Sequence, residues 1–211
     1  MDDGYGADSD SKMLRVIGIT GGVGAGKSEV LRIISENCNC RIIIADELAK
    51  ELEGKGGICY GPLRELMGDG ILDEELRIDP KKMAAAIFAD EELLAKVNEI
   101  IHPAVKDEIL RIIDETQAEG IYDYLFIEAA LLIEDGYDLI CDELWYVYAP
   151  EGIRRRRLSL SRGYSDEKIT SIMKSQLDDE IFRKYCSVVI NNDKDVETVK
   201  EQIVKILDSE K

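Results

Sequence analysis

The sequence predicts an α/β protein built on a five-stranded parallel sheet, with one helical insert and one polar, arginine-rich insert. Three observations carry this. Short β-type apolar runs alternate with helix-like segments along most of the chain. The first run leads directly into the glycine-rich stretch Gly18–Ser28 (GITGGVGAGKS) and then into a helix. From Asp79 onward, about forty residues read as helix with no strand between them.

Each element has its own warrant. Leu14, Val16, Ile17 and Ile19 form the first strand, and Val30, Leu31, Ile33 and Ile34 then recur at helical spacing. Arg41–Ala45 (RIIIA) is a β-branched run suited to a strand buried on both faces. Asp46 stands at its carboxyl end, heading a helix-like ELAKELE. Gly54–Gly57 ends that helix, and a short one starts at Gly61-Pro62 and stops before Gly68-Asp69-Gly70. Asp79-Pro80 reads as an N-cap with proline at the first helical position, ahead of Met83, Ala86 and Ile87. A second insert helix carries Leu93, Leu94, Val97, Ile100 and Ile101. His102-Pro103 opens a third, with Val105, Ile109, Ile112 and Ile113 on one face. Tyr122–Ile127, Leu144–Tyr148 and Ser187–Ile190 are the remaining strands, and the polar insert Glu151–Lys184 lies between the last two. Val196, Val199, Ile203, Ile206 and Leu207 mark a closing amphipathic helix. Residues 13–211 therefore read as one domain, with a helical substrate-side insert at about 60–118 and a lid at about 151–184. Residues 1–12 are acidic and small, have no secretory-signal pattern, and are expected to be a disordered extension.

Composition excludes several classes of function. With 45% hydrophobic and 34% charged residues in 211, the chain has a soluble globular balance, and no apolar run approaches a membrane span. A formal charge of −17 argues against a nucleic-acid partner, which calls for basic surface. Five cysteines without a C-x-x-C pair read as reduced thiols of a cytoplasmic protein.

Gly21–Ser28 fills every fixed position of the G-x-x-x-x-G-K-[ST] phosphate-binding loop. Strand, glycine turn and helix bring backbone N–H groups and a helix N-terminus onto a polyanion. In this reading Gly21, Gly22, Gly24, Ala25, Gly26, Lys27, Ser28 and Glu29 make the nucleotide site. Lys27 reaches the β- and γ-phosphates of ATP, and the Ser28 hydroxyl sits on Mg²⁺. A dinucleotide loop with Asp46 on a ribose is the competing interpretation, but it gives Lys27 and Ser28 no role. Phosphoryl transfer also needs a group that orients the acceptor hydroxyl and cations on the developing charge. Asp46, expected one strand over from the loop, suits the acceptor role, or caps the helix that follows. Glu128, after the third strand, is either a carboxylate near Mg²⁺ or a solvated strand end. Arg154 and Arg157 share one helix face and are the arginines expected on phosphate, and the alternative for each is a solvated charge. His102 is expected to pack or cap, and Trp145, Tyr146 and Tyr148 to fill core and strand rim.

The chain resembles the dephospho-coenzyme A kinase family over nearly all of Leu14 to Leu207. The matching text is GITGGVGAGKS, IIIADELAKEL, NEIIHPAV, EAALLIE, the Arg154–Arg157 run with RGYS, Gln176, and VVINND. The resemblance implies a P-loop kinase body, a mobile lid, and ATP-dependent phosphorylation of the ribose 3′-hydroxyl of dephospho-CoA, with Asp46 as base. The family's Asp-Ala-Asp is Ile44-Ala45-Asp46 here, Glu29 replaces a usual Thr, and Asp79-Pro80 replaces Asp-Arg. The family's Pro-Leu-Leu-Phe-Glu appears as Ala130–Glu134, and Cys186-Ser187 stands where Ala-Asp is usual. A kinase for another nucleoside or nucleotide, or a degenerate nucleotide-binding relative, is the alternative.

Overall fold

The computed structural model describes residues 13–88 and 90–209, so the expected extension at residues 1–12 lies outside it. Five strands, β1 (Arg15–Thr20), β2 (Cys40–Ile44), β3 (Tyr124–Glu128), β4 (Glu143–Tyr148) and β5 (Val188–Asn191), form one parallel sheet in the order β2-β3-β1-β4-β5. Nine α-helices accompany them among the described residues: α1 (Lys27–Asn37), α2 (Ala45–Glu53), α3 (Tyr60–Met67), α4 (Pro80–Phe88), α5 (Glu91–Glu119), α6 (Glu151–Arg162), α7 (Asp166–Lys174), α8 (Asp179–Tyr185) and α9 (Val196–Ser209).

Alternation along the strands builds the two faces of the sheet. Tyr124, Phe126, Trp145 and Val147 face one side, where α1 and α9 pack through Val30, Ile34, Val199 and Ile203. Leu125, Ile127, Leu144 and Tyr146 face the other, against Leu48 of α2, Val105 and Ile109 of α5 and Phe182 of α8. Both faces are covered, as a parallel sheet requires. Gly18 is the close-packing position in β1, because a Cβ there would drive into the Leu144 side chain. The helical insert has its own small core of Cys59, Leu63, Met83 and Val97. Asp79 caps α4 as expected, accepting from the N–H of Lys81 at 2.8 Å.

One expectation fails. His102-Pro103 does not open a helix, because α5 runs unbroken from Glu91 to Glu119 with Pro103 inside it. Proline removes one backbone bond, the one to the carbonyl of Glu99. Pro103 and Glu99 both lie on the exposed side, so the freed carbonyl belongs to a solvent-facing residue. The apolar stripe Val97, Ile101, Val105, Ile109 and Ile112 keeps its helical phase across the proline, and its burial outweighs the lost bond. Among the described residues no helix is long and apolar enough to cross a membrane.

Candidate active site

The glycine loop turns between β1 and α1, over the carboxyl ends of the strands where ligands of such sheets collect. Gly24 and Gly26 hold φ of +79° and +92°, which glycine adopts without steric cost. A Cβ on Gly24 would lie 2.9 Å from the Arg154 carbonyl oxygen, and one on Gly26 would collide with the Asn192 amide. The thin backbone leaves the N–H groups of Gly24, Gly26, Lys27 and Ser28 unbonded among the described residues. Those of Lys27 and Ser28 are first-turn donors, pointing out of the helix toward any anion there.

The loop is braced from outside. Arg157 donates from Nη1 to the Ala25 carbonyl at 3.0 Å and from Nη2 to the Asn192 carbonyl at 3.0 Å. The buried Asn192 adds a 2.8 Å bond from Nδ2 to the same Ala25 oxygen. Gln176 Oε1 accepts from the Val23 N–H at 2.9 Å. The Arg154 guanidinium occupies the space that a side chain on Gly22 would need. Its neighbour Arg155 faces elsewhere, paired with Glu151 at 2.7 Å and Asp166 at 2.9 Å.

Beneath the loop, Lys27 Nζ donates to the Gly21 carbonyl at 3.0 Å and pairs with Glu128 Oε1 at 3.3 Å. Glu128 is the last residue of β3, level with Ile19 of β1 and Ile44 of β2. Asp46 is thus two strands from the loop, not one, with Glu128 between them. Nor does Asp46 cap α2. Ile44 is the cap residue, because the backbone is already helical at Ala45, and Asp46 is the second residue of the helix. Its exposed carboxylate has no hydrogen bond or ion pair among the described residues.

Glu29 also departs from expectation. It bonds Arg32 at 2.7 Å on the outer side of α1 and does not line the site. The Arg32 guanidinium holds its carboxyl below the usual range. Glu29 is the third residue of α1 and points away from the side that carries Ser28, so a loop-adjacent position in sequence is not a loop-facing one.

The cavity enclosed by these parts measures about 710 Å³. Lys27, Lys50, Arg157 and Arg162 bring positive charge to its walls, alongside Asp46, Glu47 and Glu128. A smaller pocket of about 180 Å³ opens between α2, α5 and the segment after β3. Asp46 and Ala130 line both spaces. Lys50, Arg162 and Asn192 were not among the expected site residues. Lys50 had a legible signal, since it lies one helical turn beyond Asp46.

The sequence model of the dephospho-CoA kinase family matches residues 15–198. The chain belongs to the dephospho-CoA kinase family. A dephospho-CoA kinase of Carboxydothermus hydrogenoformans is 35% identical over 195 residues, covering 92% of this chain and 94% of that one. One from Aquifex aeolicus is 36% identical over 193 residues, covering 92% and 96%. Among solved structures, TT1252 from Thermus thermophilus superposes with a TM-score of 0.79 at 27% identity, covering 94% of this chain and 98% of that one. This member of the dephospho-CoA kinase family is an enzyme of the P-loop kinase fold, and the loop, Asp46 and Glu128 sit at one edge of its sheet.

Proposed function

We propose that the protein transfers the γ-phosphoryl group of ATP to the ribose 3′-hydroxyl of dephospho-CoA, giving ADP and coenzyme A. Asp46 carries this reading: it stands on the rim shared by the cationic loop cavity and the smaller pocket. Donor phosphates in the first and an acceptor in the second meet at its carboxylate.

The loop N–H groups and Lys27 bind the donor phosphates. Lys27 already carries a hydrogen bond to Gly21 and a charge pair with Glu128, which hold its ammonium under the loop. Fixed there, it stabilises charge that grows on the bridging oxygen as the bond to the γ-phosphorus breaks. Asp46 orients the acceptor hydroxyl and takes its proton as the new P–O bond forms. Ser28 and Glu128 fit Mg²⁺, which binds proteins through one or two oxygen ligands plus substrate phosphates. Mg²⁺ bound there supplies neutralising charge on the β- and γ-oxygens.

The lid is narrower than residues 151–184. Arg157 ties α6 to the loop, and Phe182 of α8 stacks on Tyr146 at 4.7 Å between ring centroids. Tyr146 also donates its hydroxyl to Asp179 at 3.0 Å. The mobile part is α7 with its flanks, hinged at Gly163 (φ +62°) and bringing Gln176 to the loop.

A coupled ADP-release assay with a panel of hydroxyl acceptors tests the assignment. Dephospho-CoA should be turned over far faster than free nucleosides. Turnover of another acceptor in its place would reject it.

A further inference from the structure

We propose that Asn192 is a positioning residue for the donor phosphates: its side-chain amide pins the Ala25 carbonyl and so keeps the Gly26 N–H aimed into the loop cavity. The proposal rests on the phosphate-loop half of the reading above.

The Ala25–Gly26 peptide is trans, so its C=O and N–H point to opposite sides of one plane. Whatever holds the carbonyl therefore also sets the direction of the N–H. Two donors hold it, Asn192 Nδ2 at 2.8 Å and Arg157 Nη1 at 3.0 Å, and together they fill both lone-pair sites of the oxygen. The Gly26 N–H faces away from this brace, toward the cavity that Gly26 lines, and has no partner among the described residues.

Glycine makes the brace necessary. At a φ of +92° Gly26 has no Cβ to lock its backbone, so the peptide before it is free to rotate once the carbonyl is released. Rotation would turn an oxygen lone pair onto the phosphates in place of a donor.

Asn192 is itself held rigidly. It is buried, and its own N–H donates to the Tyr148 carbonyl at 2.7 Å while its carbonyl accepts from Arg157 Nη2 at 3.0 Å. The preceding residue, Asn191, exchanges two bonds of 3.0 Å with the Gln202 side chain of α9. The orientation of the Asn192 amide follows from its neighbours. Oδ1 lies 3.5 Å from the Arg157 guanidinium and Nδ2 faces the Ala25 oxygen, whereas the reverse would set oxygen against oxygen and NH₂ against a cation. Among the described residues that line the cavity Asn192 is absent, so its effect reaches a ligand only through the loop.

The test is Asn192→Asp, which keeps the shape, stays paired with Arg157 and loses the donor. Calorimetry measures the binding of ADP and of inorganic pyrophosphate, the second probe having phosphates but no nucleoside. Both affinities should fall by about 10- to 100-fold, the range for losing one hydrogen bond to a charged group, while the KM for dephospho-CoA stays within about twofold. The Gly26 amide proton should move downfield when pyrophosphate binds the parent and should not when it binds the variant. Melting temperature verifies that the variant is folded. Should Asn192→Asp fail to fold, Asn192→Ala removes the same donor without burying a carboxylate, and the same losses are expected. A folded variant with parental pyrophosphate affinity overturns the proposal, whether its ADP affinity is kept, as for a purely structural residue, or lost, as for a contact to the nucleoside. A parent enzyme that binds both probes but does not phosphorylate dephospho-CoA overturns the acceptor assignment and leaves the pyrophosphate comparison decisive for Asn192. A parent that binds neither probe overturns the phosphate-loop reading and this proposal with it.

Discussion

In an Asp46→Asn variant the carboxylate on the shared rim becomes a group of the same shape that cannot take a proton. The structure sets what this costs the fold. Asp46 is exposed, has no hydrogen-bond or ion-pair partner among the described residues, and is not the cap of α2. Only its charge in the first turn of the helix is lost, about 0.3–1 kcal/mol of dipole interaction. For a chain of this length that is a fall in melting temperature of about 1–4 °C. The chemical cost is larger. Losing a positioned general base lowers the rate by about 10²–10⁴-fold, or roughly 3–5 kcal/mol of transition-state stabilisation. Asp46→Ala should behave like Asp46→Asn in both respects, since no capping bond distinguishes them. The assay is kcat at saturating ATP and dephospho-CoA, with ADP affinity by calorimetry and a thermal melt on the same samples. Parental kcat in Asp46→Asn, with ADP affinity intact, would refute the role.

Three further outcomes are expected. Lys27→Ala should fold, leave Glu128 without its cation, and lose turnover by orders of magnitude, measured in the same ADP-release assay. Gly26→Ala forces a side chain onto a φ of +92° and into the Asn192 amide, so it should destabilise the protein by about 1–3 kcal/mol and weaken ADP binding. Limited trypsin digestion should cut at Arg162, Lys168 or Lys174 in the free protein and spare them with a non-hydrolysable ATP analogue bound. Equal cleavage in both states would count against the lid.

The loop and the strands were legible because both are local. Eight consecutive residues define the phosphate loop, and each strand is a short β-branched or aromatic run. The helical insert was legible in content but not in connection. A proline after a histidine reads as a helix start, and only the burial of Ile101 and Val105 against α2 and the sheet carries α5 through it. The position of Asp46 followed from the strand end, but its distance from the loop did not. Strand order is a tertiary choice that the sequence of elements leaves open, and β3 slots between β2 and β1. Arg157 shows a subtler limit. Helical spacing put it on the same face as Arg154, as observed, while its bond to Asn192 depends on the chain returning beside the loop after β5.

The unbroken α5 has a mechanical consequence. Its 29 residues make a beam about 44 Å long at 1.5 Å per residue. One end is anchored by Val97 in the core of the insert, and the middle by Val105, Ile109 and Ile112 in the main core. A helical insert mounted on a flexible loop could swing freely over its ligand, whereas this one shares a continuous helix with the main core. The wall of the smaller pocket that α5 provides is therefore tied to the main core through Val105. The proposed lid lies on the opposite bank, where α7 hangs from Gly163 and Gln176. In the proposed reaction the acceptor thus meets a wall built on the core, and the donor meets a gate.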